Sequence, residues 1–135
     1  MDEDYKKWET DCKKIRKENK ILLNLFQLWL EKKGLKKATI KSHVGNVDFY
    51  INDFLLYSDI IEAKDGANSI GMFLGDWFIR KATWASVAEI KSNAASLKKF
   101  YTFLLEKGEI AAANLSELKQ IIKEEMPDWV AQVER

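Results

Sequence analysis

Between Trp84 and Ile110 the apolar residues Val87, Ile90, Ala94, Leu97, Tyr101 and Leu104 recur at alternating three- and four-residue steps. That repeat gathers side chains on one side of an α-helix. Ser86 with Glu89 three residues later marks the start as a capping box, and Gly108 behind Lys107 marks the stop. The same period runs through Tyr5, Trp8, Cys12, Ile15, Asn19, Leu22, Phe26 and Trp29 and predicts one long N-terminal helix closed by Gly34. From Ile21 onward, further apolar residues (Ile21, Leu25, Leu28, Leu30) lie off the stripe, so this half is expected to be enclosed by other helices. Before Lys20 the stripe is thin, and that half is expected to project or to lean on a single partner helix. Asn19 marks where the two regimes meet.

The short connection Gly34–Ala38 leads into a second predicted helix, about Thr39–Tyr57, with Ile40, Val44, Val47, Ile51 and Phe54/Leu55 inward. A third, about Ser69–Lys81, turns Ile70, Phe73, Leu74, Trp77 and Phe78 inward. After the long helix, Asn114 with Glu117 forms a second capping box. Leu118, Ile121, Ile122 and Met126 stripe the next helix until Pro127 ends it, and Trp129, Val130 and Val133 follow in a last turn or two. Alternation of period two is missing. The expectation is an all-α fold in a single domain over 1–135: a compact bundle of four core helices with helical extensions at 1–14 and 111–135.

Composition agrees with that picture. The 135 residues are 47% hydrophobic and include five Trp, seven Phe and four Tyr, enough for a core and too many for a disordered chain. Cys12 is the single cysteine, so an intramolecular disulfide or a cysteine-based zinc site is excluded, and a reducing cytoplasm fits. No apolar run approaches the roughly 20 residues of a membrane span, and the first residues, MDEDYKKWETD, are unlike a secretory signal.

Net charge is only +1, but its distribution is uneven. Residues 1–41 hold 12 Lys/Arg against 7 Asp/Glu (+5), and residues 42–90 hold 3 against 7 (−4). The densest point is EKKGLKKATIK, where Lys32, Lys33, Lys36, Lys37 and Lys41 face only Glu31. A local basic patch on a nearly neutral protein supplies phosphate contacts without a long-range field. The ordinary reading is that lysines at helix ends complement helix dipoles and keep the surface soluble. A second polar face lies opposite the apolar stripe of the long helix: Ser92, Ser96 and Lys99, flanked by Lys91 and Lys98. Gly45, on the polar side of the second helix, either admits a phosphate or another backbone, or is merely tolerated there. His43 beside an apolar stripe is the only histidine, which leaves no partner for a histidine metal site.

LLNLFQLWLEKKGLKKATIKSHVGNVDFYINDFL followed by WASVAEIKSNAASLKKFYTFLLEKGEI resembles the N-terminal core-binding, SAM-like domain of the tyrosine recombinases, the phage integrase family. Thr39, Ile40, Tyr50, Phe54 and Leu55 fit one pattern of that family loosely. Leu97, Phe100, Tyr101, Leu104, Gly108 and Ile110 fit another well. The match covers roughly residues 15–110. The resemblance implies a domain that arches over one side of duplex DNA while a separate catalytic domain closes the other. Carried over by position, its DNA contacts are Lys36, Lys37, Thr39, Lys41, Ser42, Lys91, Ser92, Ser96 and Lys99.

The family's chemistry requires two arginines, a His-x-x-Arg box and a nucleophilic tyrosine. This chain holds only Arg16, Arg80 and Arg135, and His43 is followed by Val44-Gly45-Asn46. With nothing to neutralise a transferring phosphoryl group, the chain is not expected to be an enzyme. No Gly-rich phosphate loop or clustered His/Cys is present, and Asp48 and Asp53, five apart, do not share a face of an α-helix. No catalytic residues, no metal, no cofactor and no small-molecule substrate are therefore expected. The expected partner is double-stranded DNA, together with a catalytic recombinase domain or a second copy. The alternative is a helical protein–protein or dimerisation module, based on Tyr5, Trp8, Cys12 and Ile15 at one end and Ile121, Ile122, Trp129 and Val133 at the other.

Overall fold

A computed structural model describes residues 2–135. Among them every regular element is helical, and no strand occurs. The described chain divides into two compact units, one up to Ala63 and one over Lys64–Arg135.

In the first unit α1 spans Glu3–Lys32, with the Asp2 carboxylate accepting from the Tyr5 N–H at 2.8 Å to cap its start. Its buried stripe is Cys12, Ile15, Asn19, Leu23, Phe26 and Leu30. Leu22 and Trp29, expected inside, are only half-buried. The N-terminal half does lean on neighbours: Cys12, Ile15 and Leu56 form a buried cluster with Trp8 and Ile60 against it. Cys12 is buried, and burial pushes its thiol upward.

The chain reverses at Gly34, whose φ of +81° is the left-handed value that glycine takes without a steric cost. α2 (Lys37–Asp48) packs on α1. It continues into a π-turn, Phe49–Phe54, in which the Leu55 N–H reaches the Tyr50 carbonyl at 2.9 Å. The expected second helix thus begins two residues early and changes pitch in its second half. That change brings residues five apart together, so the Asp48 carboxylate acts on Asp53 despite their α-helical phase.

In the second unit a 3-10 turn (Ala67–Ser69) opens the run of α3 (Ile70–Met72), a π-turn (Phe73–Trp77) and α4 (Phe78–Lys81). α5 (Val87–Glu106) starts with Ser86 Oγ accepting from the Glu89 N–H at 3.1 Å and stops at Gly108, φ +80°, as its cap residues predicted. α6 spans Ala112–Val133 and packs on α5 and on the α3 segment. It starts ahead of the expected Asn114: the Asn114 side chain instead reaches back to accept from the Ala111 N–H at 2.9 Å. Pro127 lies inside the helix rather than ending it. The carbonyl that loses its donor belongs to Lys123, which faces water, while buried Trp129 anchors the turn beyond.

Candidate nucleic-acid interface

The basic surface of the first unit is built by the turn from α1 to α2. Lys32 and Lys33 end α1, where a cation complements the negative end of the helix dipole, and Lys33 Nζ also sits 4.9 Å from the centre of the Trp29 ring. The ordinary reading of lysines at helix ends therefore holds for these two. Its dipole part does not extend to the next pair. Lys36 is the N-cap of α2 and Lys37 its first residue, so both stand at the positive end of a dipole. No side chain caps that end, and its first turn holds no acidic residue. Cations there are electrostatically unfavourable, and the orphan N–H groups of the first turn are left to water or to an anion.

Lys36, Lys37, Thr39, Lys41 and Ser42 are all exposed. The ion pairs among the described residues, Lys7–Asp11 and Arg80–Asp76, involve none of these lysines. Beside the cluster runs a groove of about 670 Å³ with Leu35, Ile40, Val44 and Gly45 along it and Gln27, Glu31, Lys37 and Lys41 at its edges. Gly45 is exposed, and a Cβ built on it would meet nothing within 4 Å. The fold itself does not require a glycine there.

The second surface, on α5, differs from the expected one. Ser96 is fully buried, as is Asn93, which turns its Nδ2 back to the Glu89 carbonyl at 2.8 Å. Ser96 therefore cannot meet a ligand. The reason is the width of the buried arc: with Ser96 and Phe103 on one flank and Ala94 on the other, α5 is enclosed over about half its circumference at 3.6 residues per turn. A six-residue apolar stripe had implied a narrower contact. Lys91 and Lys98 are exposed, and Ser92, Ala95, Lys99 and Thr102 are half-buried. Thr102 donates its hydroxyl to the Lys98 carbonyl at 2.7 Å. The open face thus runs through Lys91, Lys98 and Lys99, with Lys98 a member rather than a flank.

No family model, curated protein or solved structure matches this chain.

Among the described residues no cluster of three or more His, Cys, Asp or Glu is placed to hold a metal ion. No helix among them is long and apolar enough to cross a membrane. A smaller recess in the second unit, about 270 Å³, is bordered by Asp65, Glu109 and Glu117 against the single cation Lys64, a net negative lining that disfavours a phosphate. Shifted titrations fall elsewhere: burial pushes the Tyr50 phenol up, and the Arg80 hydrogen bond holds the Asp76 carboxyl low.

Proposed function

We propose that the chain is a non-catalytic module that binds the backbone of duplex DNA, playing the part of a recombinase core-binding domain in DNA integration or recombination. The observation that carries this reading is the placement of Lys36 and Lys37 at the uncapped positive end of α2. Their charges oppose the helix dipole, so helix stability does not account for them, whereas a phosphate at that end satisfies both the dipole and the orphan N–H groups. Lys41, Thr39 and Ser42 extend the contact along the first turns of α2, and Lys91, Lys98, Lys99 and Ser92 supply a second, weaker one on α5. Lysines and hydroxyls position a protein on phosphates without reading bases, and no arginine lies on either face. The module therefore holds DNA by backbone and shape.

Of the residues behind the protein–protein alternative, Cys12, Ile15, Ile122 and Trp129 are buried, whereas Tyr5 is exposed and Trp8, Ile121 and Val133 are half-buried.

The test is binding to a fluorescent duplex of about 30 bp across a salt series. With several phosphates contacted, affinity falls steeply as salt rises. Lys37→Glu with Lys41→Glu should remove most of the binding, and Lys98→Glu with Lys99→Glu a smaller share. Absence of binding at low salt, or binding indifferent to the first pair, overturns the proposal.

A further inference from the structure

Three large aliphatic side chains of α1 are left in water: Ile21 at 63%, Leu25 at 39% and Leu28 at 53% exposure. They were expected to be enclosed. The helix buries Leu23, Phe26 and Leu30 instead, which turns the 21/25/28 stripe outward. At spacings of four and three these residues form a continuous seam along about two turns, the geometry by which one helix packs on another. Single exposed leucines are ordinary, but an aligned seam of three is not.

The charges beside the seam identify its occupant. Lys17, Asn24 and Glu31 follow one edge at intervals of seven, and Glu18 and Lys32 continue the line of Leu25 at the same interval. All five are exposed. We infer that this face pairs with the same face of a second copy of the chain, helix antiparallel to helix, about a two-fold axis between residues 24 and 25. In that arrangement Ile21 of each copy meets Leu28 of the other, and Leu25 meets Leu25. The seam is then closed at both ends by opposite charges: Lys17 faces Glu31 and Glu18 faces Lys32, each pair occurring twice. Glu31, which accepts from Gln27 Nε2 at 3.3 Å one turn earlier, is at the surface and available. A parallel, in-register pair would instead set Glu18 against Glu18 and Lys32 against Lys32. The charge order therefore selects both the partner and its direction. The dimer uses neither the lysines at the start of α2 nor those of α5.

Sedimentation equilibrium of the whole chain, up to about 1 mM, tests this. A monomer–dimer equilibrium is expected. Leu25→Lys should weaken it at least about tenfold while leaving the thermal melting curve in place, since Leu25 is outside the core. Lys32→Glu alone should weaken it roughly threefold, and Glu18→Lys added to it should restore the original affinity. A monomer at every concentration overturns the inference and leaves the seam to a different protein or a membrane surface. A dimer indifferent to Leu25→Lys overturns it equally. If Leu25→Lys unfolds the chain, the charge reversals at exposed positions decide alone: failure of the double variant to restore association overturns the antiparallel pairing.

Discussion

Asn19, in the middle of α1, donates from Nδ2 to the Asn52 side-chain oxygen at 2.8 Å and to the Ile51 carbonyl at 3.3 Å. Asn52 in turn donates to Asp48, and Arg16 donates to the Asn52 carbonyl at 3.3 Å. The π-turn at 49–54 is thus clamped to α1 through its last carbonyls, groups that a helix end leaves without intrahelical donors. A polar residue in an apolar stripe here serves as a donor to an irregular backbone.

Replacing Asn19 with Ala removes that donor and leaves the Ile51 carbonyl buried without it. Asn19→Ala should cost about 1–3 kcal/mol in urea unfolding. A loss under about 0.5 kcal/mol would show that the clamp contributes little.

Two glycines of the second unit face α6 with different consequences. A Cβ at Gly75 would lie 2.9 Å from Trp129 Nε1 and 3.1 Å from its Cδ1, and Trp129 is fully buried and has no room to move. Gly75→Ala should cost about 1–3 kcal/mol. A Cβ at Gly71 would meet only the Glu125 carboxylate, 2.9 Å to Oε1, which is the far end of a flexible side chain. Gly71→Ala should stay within about 1 kcal/mol of neutral. Parallel thermal melts separate the two, and equal losses would contradict the structure.

Gly45, mid-helix with open space around it, behaves differently again. Gly45→Ala should stabilise the protein by about 0.5–1 kcal/mol through helix propensity and a less flexible unfolded chain. A duplex affinity that falls while stability rises would place a phosphate against this turn of α2.

Asp53 carries a carboxyl raised above the usual range by partial removal from water and by Asp48, against the pull of Arg16. A raised acid binds its proton more tightly in the folded state, so its ionisation opposes folding. This unfavourable contribution is absent below the unfolded-state carboxyl range, grows as pH rises through it, and is complete above the folded-state value. Asp53→Asn should therefore melt slightly higher than the parent at neutral pH. The gap should close as pH falls below about 4. The effect is small because Asp53 keeps much of its surface in water. A gap that widens in acid would reverse the assigned sign.

The sequence by itself determined the helical class, the two glycine stops and the cap of α5. These depend on local rules: apolar period, a hydroxyl reaching an N–H three residues on, and a glycine free to take positive φ. The cluster from Lys36 to Ser42 was equally legible, because residues at the start of a surface helix are exposed whatever packs elsewhere. What only the tertiary structure decided follows from how much of each helix its neighbours cover. Ser96 lies inward because α5 is enclosed over half its surface. Ile21, Leu25 and Leu28 lie outward because α1 buries one stripe and the alternative stripe is left over. The π-turn at 49–54 left no mark in the apolar period. Its cost is met by Asn19 and Arg16, more than thirty residues away, and no local pattern carries that information.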